Sequence, residues 1–341
     1  MTIVTGVTAA PLSNQAEHQV SVVIPVYGGE QHLGDVVAEL EAHNGRQASP
    51  DGHPYRVAEV LLVHDCGHDD SPRVMRELAE KFDFVRNLWL SRNFGQHAAT
   101  LAGIAASGGE WVVTMDEDGQ HDPVYIGHML DTALRERARV VYGVPVNRAP
   151  HSAFRNATSR TAKLVVNKLS GGADATIFSS YRLILGELAR SVAAYAGSGV
   201  FLDIALGWVV DRAVTTPVQA RDEGERTSGY SLMRLLAHFR RMVVTAGTRG
   251  LRAVALAGIL FALLGVVVAV YLVVLQIVSP APIAGWTSLA VVLLISTGAI
   301  LFSLGVIAEY IGVTVNTALG KPPYLLTQDP QDGPLGRDGR S

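Results

Sequence analysis

Trp111-Val112-Val113-Thr114-Met115-Asp116-Glu117-Asp118-Gly119-Gln120-His121-Asp122-Pro123 runs from an apolar stretch straight into a dense set of acids. The part Trp111–Asp116 is a short run of apolar and β-branched residues up to its last, the pattern of a strand buried on both faces. In open parallel sheets ligands bind beyond the carboxyl ends of such strands. Three successive acids at that place repel one another unless a cation or a proton compensates. Hard oxygen donors suit Mg2+ or Mn2+ bridged to a diphosphate. Asp116 and Asp118 are therefore the expected metal ligands, with Gln120 as a neutral oxygen donor and His121 as an alternative third ligand. An isolated D-x-D pair also describes a solvated turn. Its place after an apolar strand, with Asp65 at the end of another, favours the metal.

Outward from this stretch, short apolar runs alternate with helical ones. Strands are expected at Val20–Val26, Ala58–His64, Val85–Leu90, Trp111–Asp116 and Arg139–Val144. Helices are expected at Gln31–His43, Ser71–Phe82, Gln96–Ser107, Pro123–Arg137 and Ser152–Leu169. Continuous apolar strands separated by helices imply an α/β domain with a mostly parallel sheet covered on both faces. No G-x-G-x-x-G opens the first helix and no G-x-x-x-x-G-K-[ST] occurs, so neither a dinucleotide fold nor a P-loop ATPase is supported. Cys and His pairs at zinc spacing are also absent from the sequence.

The chain has 341 residues, of which 48% are hydrophobic and 17% charged. Soluble domains carry about 25% charge. The deficit is local: from Ala253 to Gly320 the only charged residue is Glu309, so 58 of the 59 Lys, Arg, Asp and Glu lie in the other 273 residues. This excludes a polytopic transporter and a disordered chain, and leaves a soluble body with a hydrophobic tail. Net charge −3 gives no global basic field for nucleic acid. The single cysteine, Cys66, allows no internal disulfide and fits a reducing compartment. No Lys or Arg precedes Arg46, so no secretory signal is expected and the body should stay in the cytoplasm.

Ala253–Val278 is uncharged over 26 residues, about 39 Å of helix against a hydrocarbon core of about 30 Å. Ser279-Pro280-Ala281-Pro282 breaks it, and Trp286–Ala308 is a second uncharged run. Two membrane spans are expected, at 253–278 and 286–312; the alternative is a pair of helices buried in a soluble core. Six arginines and no acid lie between Arg226 and Arg252, while the loop between the spans is uncharged. The positive-inside rule then puts both ends on the cytoplasmic side. Leu232, Leu235, Leu236, Phe239, Met242 and Val243 recur at helical spacing. Ser231–Thr248 reads as an amphipathic helix at headgroup level, within a juxtamembrane segment 231–252, or else as an ordinary surface helix. Gly258 and Gly265, and Gly298, Gly305 and Gly312, each recur at seven residues. Such stripes join either the two spans of one chain or the spans of neighbouring chains in a homo-oligomer. The expected organisation is a flexible N-terminus at 1–18, a catalytic domain at 19–230, the juxtamembrane helix, two spans, and a cytoplasmic tail at 313–341.

Several stretches in order complete a pattern: Val22-Val23-Ile24-Pro25-Val26-Tyr27, the Asp65 segment, Arg92-Asn93-Phe94-Gly95 and Met115–Pro123. Ser179-Ser180-Tyr181-Arg182, Arg226-Thr227-Ser228-Gly229-Tyr230-Ser231, Glu309-Tyr310-Ile311-Gly312 and Lys321-Pro322-Pro323-Tyr324 follow. From about Val20 to Tyr324 the chain resembles the family-2 inverting glycosyltransferases of the GT-A fold, in the membrane-anchored branch that loads a sugar onto a polyprenyl phosphate. The resemblance implies a nucleotide-diphosphate-sugar donor, an undecaprenyl-type phosphate acceptor, a divalent metal and a place on the inner membrane, in cell-envelope glycan synthesis. It implies that Pro25, Tyr27 and Glu30 line the nucleotide pocket, that Asp65 reads the base, and that Asp116 and Asp118 hold the metal on the diphosphate. Asp118, Arg182 and Asp203 become the catalytic candidates, and Arg226, Ser228, Tyr230 and Ser231 the acceptor-phosphate contacts.

The chain also departs from the family pattern. Tyr27-Gly28-Gly29-Glu30 lacks the usual asparagine, His64-Asp65 replaces an acid pair, Ser179-Ser180 replaces acids, and Val313 stands where an arginine is common. The alternatives for these residues are that Asp65 caps the following helix and that Arg182 is a structural ion-pair partner. A processive polysaccharide synthase on the same fold would carry Q-x-x-R-W before its spans, and no Arg-Trp pair exists here. A non-catalytic nucleotide-sugar sensor would tolerate loss of Asp116 and Asp118, which are retained.

Overall fold

Nine strands form one sheet in the order β8-β6-β7-β5-β1-β3-β4-β9, with β2 paired to β3, in a computed structural model that describes residues 16–147, 177–197, 200–221, 249–278 and 285–332. The strands are β1 (His18–Val26), β2 (Gln47–Ala48), β3 (Pro54–His64), β4 (Val85–Leu90), β5 (Trp111–Thr114), β6 (Val140–Pro145), β7 (Arg182–Leu185), β8 (Val214–Val218) and β9 (Leu326–Thr327). The helices around them are α1 (Leu33–Glu41), α2 (Ser71–Lys81), α3 (Gln96–Ala106), α4 (Tyr125–Glu136), α5 (Gly186–Tyr195) and α6 (Leu202–Val209). Two long helices, α7 (Arg249–Val278) and α8 (Trp286–Ala318), belong to a separate compact unit.

The centre of the sheet is parallel: β5, β1, β3 and β4 run together. Alternate residues of β1 go to opposite faces, so Val22, Ile24 and Val26 pack with α1, α2 and α4 through Leu33, Met75 and Ile126. Val23 joins Leu101, Ala189 and Leu202 of α3, α5 and α6 on the other face. Burial on both sides is why these strands read as unbroken apolar runs. The sheet is mixed at its flanks, because β7 lies antiparallel between β5 and β6. That reversal brings the amino end of β7 beside the carboxyl end of β5.

The expected helix at Ser152–Leu169 and most of the juxtamembrane segment, 231–248, lie outside the described residues, as do 1–15. Residues 249–252 form the first turn of α7, and α8 continues past 312 to Ala318. By length and apolar composition, one stretch among the described residues, Ile295–Val315, could cross a membrane, while Val254–Val268 is a shorter apolar stretch. Leu256, Leu260, Phe261, Leu293, Leu301 and Phe302 are exposed on these helices. Among the described residues, a Cβ built on Gly258, Gly265, Gly298, Gly305 or Gly312 meets no atom within 4 Å.

Candidate active site

Three parallel strands deliver their loops to one end of the sheet. Val26 of β1 pairs with His64 of β3, and Val23 of β1 with Thr114 of β5. The amide of Asp65 donates to Val26 O (2.8 Å) and that of Met115 to Val23 O (3.0 Å), which extends the register into the loops. Thr114 also faces Arg182 across the β5–β7 pair, so the segment before β7 reaches the same place.

Asp116 is the meeting point. Its Oδ1 accepts from Gln96 Nε2 at 2.6 Å and its Oδ2 from Ser180 Oγ at 2.5 Å. Thr114 Oγ1 fixes the serine by donating to Ser180 O (2.6 Å). The amide of Asp116 donates to His121 Nδ1 at 3.0 Å, and the His121 ring stacks on Tyr181 with centroids 4.7 Å apart. Accepting at Nδ1 leaves the proton of the neutral ring on Nε2, 4.0 Å from Asp116 Oδ2. Burial pushes the His121 pKa down, which keeps the ring neutral. Neither nitrogen then presents a lone pair to a cation, so the alternative of His121 as a third ligand does not fit this geometry.

Asp118 accepts the Gln120 amide at Oδ1 (3.1 Å), a local turn that leaves the carboxylate partly exposed. Gln120 O accepts from the Arg221 amide (3.2 Å), and the Arg221 guanidinium reaches Asp122 (2.8 Å) and Glu39 (2.7 Å). Among the described residues no three His, Cys, Asp or Glu side chains form a ready-made metal cluster. Two neighbouring carboxylates nevertheless fit a Mg2+-type ion, which takes one or two protein carboxylates and completes its shell with substrate phosphates and water.

The middle acid does different work. Glu117 Oε2 accepts the Tyr27 amide (2.9 Å) and Oε1 the Gly28 amide (3.0 Å), so it holds the loop after β1. Burial raises its pKa, against the pull of those two amides. A Cβ on Gly29 would lie 2.7 Å from Glu117 Oε2, and one on Gly67 only 1.7 Å from Tyr27 O. The approach of Gly67 to backbone demands glycine, whereas a side chain at Gly29 would push the Glu117 carboxylate aside. Tyr27 itself is exposed, with its ring edge-on to His68 at 6.1 Å.

The other expected nucleotide residues are placed as follows. Pro25 is buried inside β1, opposite Val63. The Glu30 amide donates to Asp69 Oδ2 (3.0 Å), and Glu30 Oε2 accepts the Asp70 amide (3.2 Å). Asp65 is buried, with its two oxygens accepting the amides of Phe94 (2.7 Å) and Gly95 (2.8 Å) ahead of α3. Burial raises the Asp65 pKa against those bonds.

Arg182 and Asp203 meet in a buried pair. Arg182 Nη1 lies 2.5 Å from Asp203 Oδ1, which also accepts from Tyr142 OH at 3.0 Å. Burial pushes the Asp203 carboxyl up, while Arg182 and the tyrosine hydroxyl pull it down. Arg182 Nε also donates to Ser180 O (3.4 Å), and the Ser180 hydroxyl binds Asp116, so the pair borders the Asp116 cluster. Arg226, Ser228, Tyr230 and Ser231 lie outside the described residues. Gln96, Ser180 and Glu117 join the site without being among the residues expected from the sequence. Gln96 and Ser180 reach Asp116 from 20 and 64 residues away, a register that no local pattern carries.

A mixed sheet with a parallel centre, and an acidic turn at the end of β5, define the GT-A class of nucleotide-sugar transferase folds. A crystal structure of a mycobacterial protein shares this fold with TM-score 0.51 and 19% identity, over 71% of this chain and 78% of that one. Residues 21–187 match the model of glycosyl transferase family 2. The undecaprenyl-phosphate 4-deoxy-4-formamido-L-arabinose transferase of Klebsiella pneumoniae (strain 342) is 31% identical over 311 residues, covering 90% of this chain and 92% of that one. The enzyme of the same name from Pseudomonas savastanoi pv. phaseolicola (strain 1448A / Race 6) is 29% identical, over 90% of this chain and 89% of that one. The chain belongs to glycosyl transferase family 2, and it is a glycosyltransferase.

Proposed function

We propose that this glycosyltransferase moves a sugar, with inversion, from a nucleoside-diphosphate donor to a polyprenyl phosphate of the undecaprenyl type. The reaction belongs to cell-envelope glycan synthesis or modification at the cytoplasmic face of the inner membrane. The observation that carries this reading is the Asp116 cluster, in a chain similar to undecaprenyl-phosphate transferases along 90% of its length.

A divalent metal held by Asp118 and Asp116, with Gln120 alongside, would offset the charge that develops on the leaving diphosphate. Tyr27, on the loop fixed by Glu117, offers the nucleoside an exposed ring. Pro25 and Glu30 shape that loop. Asp65 acts on the nucleotide side by fixing the Phe94–Gly95 turn, since both its oxygens serve amides there. Asp203 aims Arg182 and balances its charge in the buried pair. Arg182 in turn adds positive potential where the phosphates meet. The nucleophile is a lipid phosphate oxygen, already anionic at neutral pH, so no strong general base is required. Arg226, Ser228, Tyr230 and Ser231 are assigned to the acceptor phosphate, for which arginine has the matching donor fork.

The catalytic domain at 19–230 is read as cytoplasmic. The juxtamembrane helix 231–252 lies at the headgroups, α7 and α8 form a hairpin of two spans, and the tail beyond 313 returns to the cytoplasm. The glycine stripes, which meet no atom of the described residues within 4 Å, leave flat faces suited to close helix contact, as between neighbouring chains of a homo-oligomer. Asp118→Ala is expected to abolish transfer of sugar to undecaprenyl phosphate while membrane insertion is unchanged. Undiminished transfer would contradict the assigned metal site.

A further inference from the structure

Beyond α8 the chain returns to the sheet as β9. Leu326 and Thr327 pair antiparallel with Leu90 and Trp89, and so cover the edge of β4. Thr327 Oγ1 donates to Trp89 O (3.3 Å), and Leu325 O accepts the amide of Ser91 (3.0 Å). Tyr324 packs on the apolar layer that contains Leu90 and borders Phe94. Beyond the strand, Arg76 of α2 grips Asp329 with two bonds, Nε to Oδ2 at 2.7 Å and Nη2 to Oδ1 at 2.8 Å. The same guanidinium lies over the Trp89 ring, 4.9 Å from its centroid. Both side chains are less than a quarter exposed, which makes this planar, two-bond pair stronger than an ordinary surface ion pair.

What this contact holds is the turn that leads to the site. Ser91 begins the segment whose far end, Phe94 and Gly95, is tied to Asp65. The next residue, Gln96, donates to Asp116. One side of the turn is therefore anchored by the core and the other by the C-terminal strand. We propose that β9 is a positioning strap, latched by Arg76 and Asp329, which keeps Gln96 against the Asp116 carboxylate and so presets that acid for the donor diphosphate. The proposal rests on the assignment of Asp116 to the donor. When the strap loosens, only a fraction of molecules hold Asp116 in register, and apparent donor affinity falls by that fraction.

The test uses the full chain in lipid nanodiscs, with Asp329→Asn, Arg76→Lys and a control, Arg135→Ala, which breaks an exposed pair with Asp51 on the same domain. Amide exchange is followed over residues 91–96, and UDP and GDP are titrated in the presence of Mn2+. Asp329→Asn should speed exchange at 91–96 roughly tenfold, the scale of one lost charge-assisted bond. It should also raise the dissociation constant of the tighter nucleotide several-fold at unchanged stoichiometry. Arg76→Lys should fall between this variant and wild type, and Arg135→Ala should match wild type. Wild-type exchange and affinity in Asp329→Asn would overturn the strap. So would lost stoichiometry at unchanged affinity, which marks a structural role alone. If neither nucleotide binds wild type, the donor assignment of Asp116 fails, while the exchange result still decides whether β9 holds the turn.

Discussion

Arg182 and Asp203 share a hydrogen-bonded ion pair at 2.5 Å with side chains only 5% and 12% exposed. Each was singled out separately in the sequence, and the structure makes them one unit with Tyr142. Removing one partner strands a buried charge, so Arg182→Ala should cost about 3–5 kcal/mol of stability. Replacing both, as in Arg182→Met with Asp203→Leu, should restore most of that stability and still leave transfer abolished. Unfolding in detergent and a transfer assay on the same samples separate the two effects. Activity in the double variant would remove the pair from the mechanism.

Glu117 carries a second prediction. Its two oxygens each receive a different backbone amide, from Tyr27 and Gly28. In Glu117→Gln one of those amides must face an NH2 donor whichever way the group is turned. The loss should be about 1.5–3 kcal/mol, the worth of a hydrogen bond to a charged group. It should show both in thermal unfolding and as weaker nucleotide binding. A variant with unchanged binding would separate the Tyr27 loop from the donor site.

The central strands were legible because burial on both faces leaves unbroken apolar runs. Val85–Leu90 forms as expected, and Val20–Val26 and Ala58–His64 are each longer only at the amino end. The expected strands do not include β2, β7, β8 or β9. Arg182–Leu185 is four residues with a buried arginine at its head, Val214–Val218 contains Pro217, and Leu326–Thr327 is two residues long. Proline normally argues against a strand, and is tolerated here because β8 is the sheet edge. The acids at the end of β5 were found by type and spacing, but their division of labour was not. Only the fold shows Glu117 facing the backbone of β1's loop while Asp116 faces Gln96 and Ser180.

His64 makes the fold sensitive to acid. Its ring is buried edge-on to Trp89, and Nε2 has no hydrogen-bond partner among the described residues. Burial lowers its pKa below 6.5, with Arg76 adding to the shift and Asp69 and Asp329 opposing it. The unfolded chain therefore takes up the proton first as pH falls, and stability, complete above about pH 6.5, declines through that value toward the lower folded pKa. His43, also lowered by burial, adds to the same slope. Replacing His64 with phenylalanine should flatten the decline in melting temperature between pH 7 and pH 5. An identical slope in both proteins would show that His64 is not its source.

Transfer of sugar to a lipid phosphate is the reaction proposed for this site. Membranes containing the protein, incubated with a panel of nucleotide sugars and undecaprenyl phosphate, should yield one lipid whose mass equals undecaprenyl phosphate plus a single glycosyl residue, formed only with divalent metal present. Release of free sugar, or sugar found on an acceptor other than the lipid phosphate, would contradict it.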